Sequence, residues 1–234
     1  MNKNSGNKKK NNKNNFHKNR NIFGFLERWK SYTRATKAGP IYRRFFVKNG
    51  FDGALTILGV IIGAWIANGG IWNVPSSFIF SRTEIQFIIL TGLGASLSMC
   101  VSGIWGSFLT ESAERKKEMD DLKRSMVLQD EQKEKFKKSY ISRAQRFSAI
   151  IASVIDGISP AIFAIVCLIP FFIGFTIDLG YFVFIGSMVL TYLMLFLLGA
   201  FLGKISKRNI IFYGLKMATA GFVVALIFMF LPAA

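Results

Sequence analysis

Five long apolar segments constrain the fold of this chain more than any other feature of its sequence. Each is close to or above the roughly 20 residues that a helix needs to cross a bilayer, and a soluble domain rarely groups its apolar residues in this way. The sequence therefore predicts an all-α membrane protein with five transmembrane helices. The third segment contains Pro160 and Pro170, which predict a kink or a local unwinding of its helix. The five segments cover residues 51–70, 85–109, 147–175, 180–203 and 210–232.

The distribution of Lys and Arg predicts how these helices are oriented. Of the 30 cationic residues, 14 precede residue 50, 11 lie in 110–146 and four in 204–216, which leaves only Arg82 elsewhere. Cytoplasmic loops are enriched in Lys and Arg, so a cytoplasmic N-terminus and an outward C-terminus place all three basic regions inside. We therefore expect a multi-pass protein of the plasma membrane.

The remaining regions differ in composition and predict different structures. Residues 1–21 are rich in Asn and Lys and are predicted to form a disordered arm, and residues 22–40 a basic amphipathic helix at the membrane interface that ends at Gly39-Pro40. Helices 1 and 2 are expected within 41–109, a short charged cytoplasmic helical segment within 110–146, and helices 3 to 5 within 147–232. Nucleic-acid binding is not expected of a chain with five spans. The cations predicted to contact the membrane surface are Arg28, Lys30, Arg34, Arg43 and Arg44.

Two Asp-Gly pairs carry the main functional hypothesis. Asp52-Gly53 stands at the start of the first apolar segment, and Asp156-Gly157 stands near the start of the third. Ionisable residues within membrane segments are costly and usually functional, so both acids are candidate ligands for a cation or a proton, with Met99 as a third candidate. The alternative is that each Asp caps the N-terminus of its helix by accepting hydrogen bonds from free backbone amides.

Four carboxylates after the second apolar segment share one helical stripe about 80° wide. Carboxylate oxygens suit divalent cations such as Mn²⁺ and Fe²⁺, so this stripe is a candidate collector of metal ions at the cytoplasmic mouth of a path. The alternative is a charge-laced helix, because Lys and Arg are interleaved and can pair with the acids. The four residues are Glu111, Glu114, Glu118 and Asp121.

Motifs of common enzymes are missing from the sequence. It contains no HExxH, CxxC or GxSxG motif and no phosphate-binding loop that ends in Lys and Ser or Thr. We therefore expect no enzymatic activity and no cofactor.

Several short motifs, in order along the chain, resemble the vacuolar iron transporter/nodulin-like membrane family. The resemblance covers roughly residues 43–232 and implies a homodimer of five-helix chains that exports Fe²⁺ or Mn²⁺ from the cytosol in exchange for protons. It implies roles in metal transport for Asp52 and Met99 within the membrane and for the acidic stripe in the cytoplasm. The motifs are DGALT at 52–56, SM at 98–99, ESAER at 111–115, PF at 170–171, GAFLGK at 199–204 and GLKM at 214–217.

A small-residue face in the second segment also predicts tight helix packing or a dimer contact. It comprises Gly92, Gly94, Gly103 and Gly106 with Ser96, Ser98, Ser102 and Ser107. Two other functions stay open beside proton-coupled metal export. One is a non-transporting membrane module that docks a partner through its basic cytoplasmic regions, and the other is transport of a different cation or solute.

Overall fold

A computed structural model describes residues 27, 29–69, 79–126, 140–177 and 179–230, and all regular structure within these residues is helical. Each of five helices is long and apolar enough to cross a membrane. This result confirms the predicted all-α fold with five membrane-spanning candidates. The helices are α1 (Gly39–Ala67), α2 (Arg82–Ser125), α3 (Tyr140–Thr176), α4 (Phe182–Ile205) and α5 (Ile210–Met229).

The helices extend well beyond some of the apolar segments. α1 begins at Gly39, twelve residues before the predicted segment, and α2 continues through the charged residues to Ser125. Residues 110–125 and 140–146 of the predicted cytoplasmic segment are therefore the ends of α2 and α3. Lys, Arg and Glu are good helix formers, so a helix does not have to end where its apolar residues end.

Residues 29–36 form a short helix ahead of α1, as part of the predicted interfacial helix. The break between the two helices lies at Lys37, which has a left-handed φ of 51°, and the Ala38 amide closes the turn on the Thr33 carbonyl at 3.2 Å. Gly39-Pro40 begins α1, whereas the sequence had suggested that it ends a helix. Proline suits the first turn of a helix because its missing N–H has no helical partner there. The predicted disordered arm, residues 1–21, lies outside the described residues.

α3 remains helical through both Pro160 and Pro170, so the predicted local unwinding is wrong. At the other end of the chain, a four-residue turn joins α4 to α5. Lys207 has a left-handed φ of 53° in this turn, and the Asn209 side chain accepts hydrogen bonds from the amides of Ile211 and Phe212 at 3.1 and 3.4 Å. Asn209 is therefore the N-cap of α5.

The chain divides into two compact units. One contains Ile41–Glu111 and Ile151–Ala234. Its core is a cluster of buried aliphatic and aromatic side chains from α1 to α4, which includes Ile57, Ile88, Leu168, Phe171 and Leu195.

The other unit contains Met1–Pro40 and Ser112–Ile150. Within it, the Tyr32 ring lies 5.1 Å from the Tyr140 ring and 5.3 Å from the Phe147 ring. The Thr36 and Ser148 hydroxyls are 2.8 Å apart. These contacts attach the 29–36 helix to the first turns of α3.

Candidate functional site

The two acids of the Asp-Gly pairs lie inside helices rather than at their ends. Asp52 is 13 residues after the start of α1, and Asp156 is 16 residues after the start of α3. The backbone amides that follow each Asp are therefore bonded within the helix, apart from Pro160, which has none. The alternative that these acids are N-caps is wrong for both positions.

The glycine after each Asp lies where two helices touch. A Cβ at Gly53 would stand 2.7 Å from Cα of Pro160, which places the backbones of α1 and α3 in contact. A Cβ at Gly103 of α2 would stand 2.8 Å from Cα of Gly157, so α2 and α3 approach equally closely. Only glycine permits such distances. The repeated Asp-Gly sequence thus places each carboxylate beside a helix crossing.

Asp156 joins three helices through hydrogen bonds. Asn49 Nδ2 of α1 donates to one carboxylate oxygen, Oδ1. Ser107 Oγ of α2 donates to the other, Oδ2. All three side chains are half-buried. Charge-bearing acceptors form the stronger class of hydrogen bonds, so this network fixes the Asp156 carboxylate at the crossing.

Asp52 lies three residues after Asn49, whose side chain donates to Asp156. Its carboxylate is exposed in the chain described here and interacts electrostatically with Asp156 and with Lys48, which is one turn earlier in α1. The two acids of the Asp-Gly repeat therefore converge. The Lys48 ammonium offsets part of the repulsion between them.

Met99 of α2 contacts α1 one helical turn after Asp52. Its Sδ atom lies 3.6 Å from the Thr56 hydroxyl, which in turn lies 2.8 Å from the Asp52 carbonyl oxygen. The structure thus brings Asp52 and Asp156 within electrostatic range of each other, and Met99 contacts Thr56, one turn of α1 after Asp52. Sequence reasoning gave no role in this site to Asn49, Ser107 or Thr56. Asn49 offered one signal, since it is an amide three residues before Asp52.

The resulting site combines hard and soft donors. The Asp156 carboxylate accepts hydrogen bonds from an amide and a hydroxyl, the Asp52 carboxylate interacts with it electrostatically, and the Met99 thioether sulfur lies beside the Thr56 hydroxyl one turn further along α1. Among the described residues, no three His, Cys, Asp or Glu side chains come together as a metal site. A cation between Asp52 and Asp156 would have these two acids as its only charged ligands among the described residues. Mixed sets of this kind suit borderline divalent ions.

The acidic stripe of α2 is not gathered into a comparable site. Glu114, Glu118 and Asp121 are exposed, and Glu111 is half-buried. Glu118 lies 4.0 Å from the buried Arg115 and accepts a hydrogen bond from Gln145 of α3 at 3.4 Å. Gln145 also accepts a hydrogen bond from Arg115 through its side-chain oxygen. Glu118 thus takes part in a polar contact between α2 and α3.

A second ion pair lies beside the stripe. Lys123 Nζ and Asp120 Oδ1 are 2.6 Å apart, and this hydrogen bond lowers the pKa of Asp120 below its ordinary value. The two pairs fit the charge-laced helix that was the alternative to a metal collector. The collecting role of the stripe stays a prediction.

The cations predicted to contact the membrane surface are exposed where the structure describes them. This holds for Lys30, Arg34, Arg43 and Arg44, and the Arg44 guanidinium lies 5.6 Å above the Phe45 ring. Arg28 lies outside the described residues. Contact of these cations with lipid headgroups stays a prediction.

Comparison with known proteins gives one informative match. The chain is 33% identical over 184 residues to the uncharacterized protein MJ0645 of Methanocaldococcus jannaschii, and the aligned region covers 79% of this chain and 85% of that protein. No family model matches the chain. No solved structure matches it either.

Proposed function

The chain belongs to the same family as the uncharacterized protein MJ0645, and for this member we propose a proton-coupled transporter that exports Fe²⁺ or Mn²⁺ from the cytosol. The observation that supports the proposal is the approach of Asp52 and Asp156 where α1 and α3 cross, with Met99 of α2 in contact with α1 one turn after Asp52. Acids within membrane helices usually mark ion or proton paths. The resemblance of the short motifs to iron transporters agrees with this chemistry.

The paired acids suggest how metal and protons exchange. Two ionised carboxylates balance the charge of one divalent cation, and the Met99 sulfur adds a soft ligand that favours Fe²⁺ or Mn²⁺ over Mg²⁺ or Ca²⁺. Protonation of Asp52 and Asp156 removes that negative charge, so a site that accepts protons releases the metal. Exchange of this kind couples metal flux in one direction to proton flux in the other.

We further propose that the N-terminus faces the cytoplasm and the C-terminus faces outward in the plasma membrane. The support is the distribution of charge, since 29 of the 30 Lys and Arg residues then lie inside. Metal collected from the cytosol would then pass the stripe of Glu111, Glu114, Glu118 and Asp121 before it reaches the membrane.

A homodimer is also part of the proposal. Gly94, Ser98, Ser102 and Gly106 follow one another at intervals of four residues and are exposed on α2. A Cβ at Gly94 or Gly106 would meet nothing within 4 Å in the described chain. Faces of small residues at this spacing let two membrane helices approach closely. A second copy of the chain is the proposed neighbour.

Transport into proteoliposomes tests the metal site. We expect a pH gradient to drive Mn²⁺ or Fe²⁺ flux through the wild type, and Asp52→Asn and Asp156→Asn to abolish it while the protein still inserts and folds. Asp120→Asn is the matched control, since it makes the same change at a half-buried acid outside the membrane site. Flux through either membrane variant at the wild-type level would contradict the proposal.

The membrane-module alternative draws support from two observations. Glu118 of the stripe is engaged by Arg115 and Gln145, and the basic residues Lys30 and Arg34 are exposed. Titration of the purified protein with Mn²⁺, followed by calorimetry, separates the two functions. Absence of binding at millimolar Mn²⁺ would favour the module. A competition series with other cations tests transport of a different ion.

A further inference from the structure

An open cavity lies between the 29–36 helix and the start of α3. Its volume is about 500 Å³, within the range of small-molecule sites. Both of its walls belong to the unit that contains Met1–Pro40 and Ser112–Ile150. The residues that line it are Glu27, Lys30, Ser31, Arg34, Ala35 and Tyr140.

The residues that line this cavity include the types of side chain that bind phosphate. Lys30 and Arg34 are four residues apart, so they lie on the same face of the helix, and both are exposed. The Ser31 and Tyr140 hydroxyls are 2.5 Å apart and provide further hydrogen-bonding groups from the two walls. Arg and Lys beside hydroxyl groups are a common arrangement for phosphate recognition.

The cavity also contains an acid, which restricts the ligand further. Glu27 is exposed and lies three residues before Lys30. A ligand with a phosphate alone would meet this carboxylate as a repulsive charge. A ligand with both a phosphate and an amine would pair its phosphate with the cations and its amine with Glu27.

The position of the cavity in the chain indicates where such a ligand comes from. The 29–36 helix ends two residues before α1, a helix long and apolar enough to span the membrane. The contacts of Tyr32 with Tyr140 and Phe147 hold the two walls together without any ligand. A pre-formed site in the segment that directly precedes a membrane helix in the chain has phospholipid headgroups available at high local concentration.

We propose that this cavity binds the headgroup of an amine-bearing phospholipid such as phosphatidylethanolamine, with its phosphate on Lys30 and Arg34 and its amine on Glu27. This site is independent of the proposed metal path, since it shares no residue with it. The proposed site differs from a general attraction of basic residues to a membrane, because it distinguishes a headgroup with a phosphate and an amine from a headgroup with a phosphate alone.

Native mass spectrometry of the full chain in detergent, with added lipid, tests the proposal. We expect one phosphatidylethanolamine to bind more tightly than phosphatidylglycerol. The double variant K30Q/R34Q should weaken phosphatidylethanolamine binding by about twenty-five-fold, from about fivefold for each cation. K116Q/K117Q is the matched control, because it removes two exposed cations from the same unit and should bind as the wild type does.

The E27Q variant tests which headgroup binds, and competition with inorganic phosphate tests whether the ligand is a lipid. E27Q should bind the two lipids equally, because it removes the partner of the amine. Equal binding of both lipids by the wild type, or unchanged binding by K30Q/R34Q, would overturn the site. Displacement of the lipid by millimolar inorganic phosphate would show that free phosphate is the ligand and would overturn the assignment to a lipid. All three substituted residues are exposed, so the fold should not change.

Discussion

The contact between α2 and α3 makes a sharp prediction about two glycines of one helix. Gly103 and Gly106 are three residues apart on α2, yet a Cβ would meet Gly157 Cα at 2.8 Å from the first and nothing within 4 Å from the second. Ordinary contact begins near 3.4 Å, so Gly103→Ala requires the two backbones to separate by about 0.6 Å. Backbone atoms cannot rotate away as a side chain can.

The expected cost follows from a comparison of the two variants. Each gains about 1 kcal/mol of helix propensity when Ala replaces Gly, and this gain cancels between them. The extra methyl group at Gly103 should cost about 1–3 kcal/mol, the range for an overpacked interior. We therefore expect Gly103→Ala to have a free energy of unfolding lower by this amount than Gly106→Ala.

Equilibrium unfolding in mixed detergent micelles measures this difference. Both variants should first be shown to insert and to have wild-type helix content by circular dichroism. Because Ser107 and Asp156 lie beside this contact, Gly103→Ala should also reduce metal flux, while Gly106→Ala should not. Equal stabilities for the two variants, within about 0.5 kcal/mol, would refute the close approach of α2 and α3 at Gly157.

Three further predictions concern other parts of the chain. Asn209→Ala should lower the free energy of unfolding by about 0.5–2 kcal/mol through loss of the α5 cap, while Asn209→Asp should keep the acceptor and most of the stability in the same assay. Lys123→Gln should raise the pKa of Asp120 toward its ordinary value of 3.8, as followed by an NMR titration. Because the pKa of Asp120 is lowered in the folded state, the stabilisation by this pair is present above pH 3.8 and is lost as the pH falls through the folded-state pKa. A pKa of Asp120 that does not change in Lys123→Gln would contradict the contact. The double substitution of Gly94 and Gly106 by Leu should convert a dimer in nanodiscs to monomers, whereas the double Ala variant should remain dimeric, and a dimer in both would exclude this face.

The sequence was sufficient to predict the number of long apolar helices but not their ends. The length of an apolar segment is set by the thickness of the membrane that it crosses. The length of a helix also depends on charged residues that continue the helix beyond the membrane. For this reason α1 begins before Arg43 and Arg44. The same error made an N-cap seem a reasonable alternative for Asp52, since the acid follows a cationic stretch that was not included in the helix.

The approach of Asp52 to Asp156 could not be predicted from one sequence, because it depends on how the helices cross. The Asp-Gly repeat marked both residues, but their approach is set by how α1, α2 and α3 cross. Asn49 and Ser107 were missed for the same reason, because a side chain on one helix finds its partner on another only after packing. The sequence did mark both as polar residues in or next to an apolar segment, but it did not indicate which residue on another helix each of them contacts.

The proline at position 160 has a consequence for the main chain of the site. In a regular helix the amide of residue 160 donates to the carbonyl oxygen of residue 156, but proline has no amide hydrogen. The carbonyl oxygen of Asp156 is therefore deprived of its helical donor, while both carboxylate oxygens of the same residue already accept hydrogen bonds. One residue thus presents acceptors of two kinds, and the main-chain oxygen keeps its partial negative charge when the carboxylate is protonated.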